Sequence, residues 1–178
     1  MNLKKVKIIS IIGIFILCFL FHFAYEKIPC TLTSIFFPVN ESIWEHQKLI
    51  FSSVIGYSIM DYIILKKCRI NYNNFLLSVA ISSIAIIPIF LTLYLPLYFK
   101  IGPKMILNIG IMFIAIIISQ VISYYILKAH KIQYSNIISL ILIIVCYIIL
   151  GYLTYYPIKN NLFFDTEEEK YGINNYNV

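Results

Sequence analysis

MILNIGIMFIAIIISQVISYYIL, residues 105–127, contains no charged residue. One helical crossing of a bilayer core needs about 20 predominantly apolar residues, so this stretch is long enough to span. Four further runs have the same character: residues 6–25, 44–65, 75–99 and 137–156. They are continuously apolar rather than alternating, which excludes a membrane β-barrel, whose strands alternate lipid-facing and lumen-facing residues. Backbone groups in lipid must be satisfied within the segment, so the runs are expected to be helices despite their β-branched content. Pro88 predicts a kink in the third. The fold class is therefore all-α: an integral membrane bundle of five transmembrane helices over residues 1–157, followed by a polar tail, residues 158–178.

Composition agrees. The chain has 178 residues, 61% hydrophobic and 12% charged, against about 45–50% and about 25% in soluble domains. That excludes an ordinary soluble domain, a disordered tail and a separate soluble catalytic domain. The net charge of +6 invites a nucleic-acid partner. The basic residues, however, sit in short groups between apolar runs, as orientation signals do. No nucleic acid is expected; the partner is the lipid bilayer. Lys4, Lys5, Lys7, Lys66, Lys67, Arg69, Lys128 and Lys131 fall on one side of a five-span bundle, with Asp61 as the only acid there. That side carries about +7 and the other about −1, which places the N-terminus in the cytoplasm and the C-terminus outside. The first run is read as a retained helix rather than a cleaved signal peptide. The richness in Ile, Asn, Lys and Tyr suggests a bacterial protein, hence a multi-pass protein of the plasma (inner) membrane. Cys18, Cys30, Cys68 and Cys146 form no CxxC and no obvious pair, so free thiols are expected.

Two segments stand out at the outer ends of helices one and two: HFAYE, residues 22–26, and PVNESIWEHQK, residues 38–48. His22 and Glu26 are four apart, as are Glu41 and Glu45, and residues at that spacing share a helix face. Two antiparallel helices would bring His22, Glu26, Glu41, Glu45 and His46 to one level. Imidazole and carboxylate ligands suit a divalent metal such as zinc, iron or manganese, and His22, Glu45 and His46 are the candidate ligands. The same groups suit general acid–base chemistry; Asn40 would then orient a substrate or a ligand. Tyr25, Trp44 and Lys48 are candidate substrate-binding residues, Trp44 as a pocket wall. A competing reading is structural. Ser42-Ile43-Trp44-Glu45 fits the S-x-x-E capping box, Trp44 fits an interfacial aromatic belt, and Lys48 can snorkel. Capping accounts for neither His22 nor His46, and an ionisable group inside a span is a functional-site hypothesis by default.

Deeper in the spans, Asp61 and Gln120 lie at similar depth and form a candidate inner polar pair. The alternative leaves Asp61 at the inner interface beside Lys66 and Lys67. Ser52 with Gly56, and Ser119 with Ser123, are small-xxx-small pairs that permit close helix packing. The tail is read as solvated.

His22-Phe-x-Tyr25-Glu26 with Val39-Asn40-Glu41-Ser42-x-Trp44-Glu45-His46-x-Lys48-Leu49 resembles an uncharacterised family of small bacterial and archaeal integral membrane proteins. The likeness extends to Ile118-Ser119-Gln120 and to a tail pattern, here Leu162-Phe163-Phe164-Asp165 and Tyr171-Gly172. Thr166 stands where a common Asp-Pro pattern has proline. The resemblance implies fold and location but no activity, and it implies that the tail folds over the outer site. Three functions stay open: a membrane protein whose outer motif is a structural cap; a membrane enzyme, metal-assisted, acting on a lipid-level substrate; and a small transporter or channel. Oligomeric state is not legible.

Overall fold

A computed structural model describes residues 1–173; residues 174–178 of the tail lie outside it. The helices are α1 (Leu3–His22), α2 (Ala24–Lys27), α3 (Thr31–Phe36), α4 (Ile43–Lys67), α5 (Phe75–Ile101), α6 (Met105–Lys128) and α7 (Ser135–Tyr155), followed by two short strands, β1 (Phe164–Asp165) and β2 (Lys170–Tyr171). Five helical segments are long and apolar enough to cross a membrane: α1 with α2, and α4, α5, α6 and α7.

Helix ends follow local chemistry. Asn2 caps α1 by accepting the Lys5 N–H at 3.0 Å. Ser42 caps α4 by accepting the Glu45 N–H at 3.3 Å. Gly102, at φ +76, ends α5 in a conformation that glycine adopts without steric cost. α5 remains one helix through Pro88 and Pro96. α1 stops at His22 because Phe23 leaves helical geometry (φ −93, ψ 2), and the chain resumes in α2.

α1, α4, α5 and α6 form a ring in which α1 and α5 each pack on both α4 and α6, while α7 packs outside against α5. The core contains Ile14, Ile50, Ile86, Phe90 and Ile116, each almost fully buried. Small residues set the close approach of α1 and α4. Gly13 faces the Tyr57 ring so closely that a Cβ would overlap it, and a Cβ on Gly56 would lie 3.1 Å from the Phe21 ring. Outward faces carry exposed Ile12, Ile16, Ile141 and Ile148. Apolar surface of that extent is unusual on a soluble monomer and suits lipid.

α3 wedges between α4 and α7 at the end where the tail lies. Its Ser34 hydroxyl pairs with the Tyr155 hydroxyl at 2.7 Å, and Ser52 donates to the Phe36 carbonyl at 2.6 Å. Up to Ile173 the tail is anchored on the bundle rather than free, with Phe163, Asp165 and Gly172 buried and residues 166–169 exposed. β1 and β2 pair antiparallel, Phe164 opposite Tyr171. Phe163 stacks on Trp44 with ring centroids 4.7 Å apart, and the Trp44 backbone N–H donates to the Leu162 carbonyl at 2.8 Å. The Asn40 side chain donates to the Gly172 carbonyl at 3.0 Å. Apolar stacking and backbone pairing outweigh the tail's polarity, so residues up to Ile173 lie over the bundle end.

At the opposite end, Asp61 and Gln120 are joined through a third residue. Lys7, within α1 and nearly buried, donates to Asp61 at 2.7 Å and to Gln120 at 3.2 Å. Ser10 donates to the other Asp61 oxygen at 2.6 Å. Lys7 therefore points into the bundle, and Asp61, 3% exposed, is paired with it rather than with Lys66 or Lys67.

Candidate functional site: a histidine–glutamate group beside a cavity

The end of α1, the loop before α4 and the second turn of α4 each supply one ligand-type side chain. His22 is the last residue of α1, Glu41 precedes the Ser42 cap, and His46 lies just beyond it. His22 Nε2 is 3.6 Å from Glu41 Oε1, and His46 Nε2 is 3.6 Å from Glu41 Oε2. The three residues offer ligand atoms that all lie within 4.8 Å of one another. A tetrahedral zinc with bonds of about 2.0–2.1 Å spaces its ligands roughly 3.3–3.4 Å apart, so both Glu41 contacts are close to that spacing. The imidazole ring centroids lie 5.5 Å apart with their planes tilted by 54°.

Surrounding groups hold these side chains in place. His46 Nδ1 lies 3.0 Å from the Ser42 carbonyl. A carbonyl only accepts, so Nδ1 carries a proton, and Nε2 is the nitrogen that faces Glu41. Outer hydrogen bonds of this kind fix the tautomer of metal-binding histidines. Glu41 is held from the tail, its N–H donating to Asp165 Oδ2 at 2.9 Å. The other Asp165 oxygen accepts the Glu167 and Glu168 N–H groups at 2.8 and 3.2 Å. Asp165 is fully buried. One carboxylate thus ties the ligand loop to the turn of the tail hairpin. Asn40 accepts the Ser42 N–H at 3.0 Å and braces the same loop.

The structure separates other residues from this group. Glu45 turns away from the histidines, so the carboxylate between them is that of Glu41. Glu45 accepts the Val39 N–H at 3.0 Å and the Thr154 hydroxyl at 2.8 Å, and it pairs with Lys48 at 2.6 Å. The reciprocal half of the capping box is therefore absent: Glu45 serves Val39, and Asn40 serves the Ser42 amide. Lys48 does not snorkel. It is fully buried and donates to the Ser34 carbonyl at 2.6 Å and to Thr154 at 2.7 Å, which leaves it no surface to offer a substrate. Glu26 lies exposed on α2, because the break at Phe23 ends the register that would align it with His22. Tyr25 is half-buried on the same short helix. Trp44 packs on the tail rather than lining the cavity beside the histidines.

That cavity, about 460 Å³, is bounded by α1, α4, α5, α6 and the hairpin turn. His22, Glu41 and His46 form its polar wall; Phe19, Leu49, Tyr94 and Met112 are among its apolar lining; Lys104, Asn108, Thr166 and Glu167 complete it. Pockets of this volume hold small ligands. A second and wider cleft, about 1060 Å³, lies at the opposite end beside Tyr62 and Tyr134 and shares no lining residue with the first.

The fold and site define a class: a small helical protein, five of its segments apolar enough to cross a membrane, with a two-histidine, one-carboxylate group at one end. The chain belongs to the family of unknown function DUF6512, whose model matches residues 1–173. No curated protein matches the chain, and no solved structure does.

Proposed function

We propose that this chain is a multi-pass membrane enzyme of the plasma membrane, with its N-terminus cytoplasmic. In this reading His22, Glu41 and His46 hold a divalent metal such as zinc, and the substrate comes from the lipid layer. One observation carries the reading: ligand atoms from three separate segments converge within 4.8 Å beside a cavity. Protein ligands of this type and number suit catalytic zinc or iron sites that keep coordination positions open. A bound ion would supply a Lewis acid.

The chain's own groups define the rest. Asp165 and Asn40 hold the Glu41 loop, the Ser42 carbonyl orients His46, and the hairpin turn covers the cavity. Glu167, on that turn, is the cavity's second carboxylate and a candidate proton acceptor. The basic groups Lys4, Lys5, Lys66, Lys67, Arg69, Lys128 and Lys131 support the orientation. A transport role gains less support. Intramembrane serines such as Ser78, Ser82 and Ser83 bond carbonyls of their own helix, and the two cavities lie at opposite ends.

The test is a lipid-conversion assay in nanodiscs made from a bacterial lipid extract, comparing metal-loaded and chelator-treated protein by lipid mass spectrometry. The reading expects one lipid class to be converted only with metal, and not by a His22→Ala/His46→Ala variant. An unchanged lipid profile with metal-loaded wild-type protein refutes an enzymatic role on lipids.

A further inference from the structure

We propose that the cavity beside His22, Glu41 and His46 takes an amphiphile with an anionic phosphate head, steered by Lys104, with its alkyl chain leaving between α1 and α6. The inference rests on the metal reading above and adds the class of ligand.

Charge carries the first part. Two carboxylates line the cavity, Glu41 and Glu167, and one ammonium, Lys104. A divalent ion would balance the two carboxylates and leave the Lys104 charge in excess. Among the described residues Lys104 has no ion-pair partner, as is true of most of the chain's lysines, but Lys104 alone of them lines this cavity. An unpaired ammonium and a dication on one cavity favour an anion that can engage both. Asn108, one helical turn beyond Lys104 and also lining the cavity, adds an amide donor that a phosphate oxygen can accept.

Shape and polarity carry the second part. The cavity's apolar lining comes from α1 (Phe19), α4 (Leu49), α5 (Tyr94) and α6 (Met112). Where α1 and α6 flank it, apolar side chains are also exposed: Phe19 is 41% exposed, Phe23 50% and Met105 77%. In lipid these positions face acyl chains rather than water. An alkyl chain can therefore leave the cavity sideways without crossing a polar rim. A volume of about 460 Å³ accommodates a head and the start of one chain, not a whole two-chain lipid, so the remainder of the chain stays in the bilayer. A free anion would use the charge but none of the apolar wall.

The experiment uses the full chain in dodecyl maltoside, metal-loaded, with thermal unfolding read against added dodecyl phosphate, inorganic phosphate or dodecyltrimethylammonium. Metal content is measured on every sample. The expected result is saturable stabilisation by dodecyl phosphate, with inorganic phosphate needing at least about tenfold more for half-effect and the cationic amphiphile giving none. Lys104→Gln should raise the dodecyl phosphate half-effect concentration about tenfold with metal content unchanged, and Lys104→Arg should restore most of the affinity. Equal potency of inorganic and dodecyl phosphate would overturn the amphiphile assignment in favour of free phosphate. Equal response to the cationic amphiphile, or Lys104→Gln behaving as wild type with full metal, would overturn the anion assignment. Wild-type protein that takes up no metal would instead overturn the metal reading, so the two failures are separable.

Discussion

Replacing Glu45 by glutamine separates two accounts of the same residue. In a capping box glutamine serves as well as glutamate, so the change would be nearly silent. In the structure Glu45 is instead the counter-ion of Lys48, 2.6 Å away, with side chains only 2% and 1% exposed. Glutamine keeps the volume and can still accept from Val39 and Thr154, but it removes the negative charge. Lys48 is then left buried with two neutral acceptors, the Ser34 carbonyl and Thr154. Removing one partner of a buried pair costs about 3–5 kcal/mol. At about 2–4 °C per kcal/mol for a chain of this size, Tm should fall by roughly 6–20 °C. The assay is thermal unfolding of detergent-purified protein, with Lys48→Met and the Glu45→Gln/Lys48→Met double variant alongside. The double variant should recover much of the loss, since replacing both members of a buried pair is often near neutral. A fall of less than about 2 °C for Glu45→Gln, on the same scale, would refute the counter-ion role.

Asp61→Asn should likewise cost about 3–5 kcal/mol by stranding the buried Lys7, and Asp61→Asn/Lys7→Met should regain most of it; chemical unfolding in detergent checks both. Gly172 sits at φ +56, where a Cβ would collide with the Thr154 carbonyl oxygen, so Gly172→Ala should detach the tail and raise its rate of proteolysis by tenfold or more. Thr33 lowers the pKa of the exposed Cys30 thiol through a side-chain hydrogen bond, which raises its thiolate fraction at neutral pH. Cys30 should therefore react with maleimide faster than the exposed Cys68, and Thr33→Val should slow it. In intact cells an impermeant maleimide should reach Cys30 but not Cys68; the reverse pattern would invert the proposed topology.

The five long helices were legible because length and apolar content decide them, and neither depends on distant contacts. His22 and His46 were legible because ionisable groups are costly in an apolar run. The choice of carboxylate was not. Glu41 and Glu45 have equal standing by spacing, and the deciding partner is Thr154, which lies on α7 far along the chain. Lys48 was expected to reach outward, but the Ser34 carbonyl that draws it inward belongs to a short helix hidden in a loop. The break at Phe23 carries no glycine or proline, so Glu26 was wrongly aligned with His22. The acidic run Glu167–Glu169 is indeed exposed, but the tail's anchoring was not legible, because Asp165 and Phe163 act through partners at Glu41 and Trp44 that only the fold supplies. Lys7 was counted among orientation charges, since nothing local shows that it meets Asp61.

The central claim is that His22, Glu41 and His46 bind a metal together. Elemental mass spectrometry of detergent-purified protein, supplied in turn with zinc, iron and manganese, tests it most directly. The account predicts about one ion per chain in wild type, and none in a His22→Ala/His46→Ala variant whose unfolding transition remains cooperative. Glu41→Gln should weaken retention, whereas Tyr25→Phe should not. No metal in wild type after each ion has been supplied, or equal metal in the folded double variant, would contradict the account.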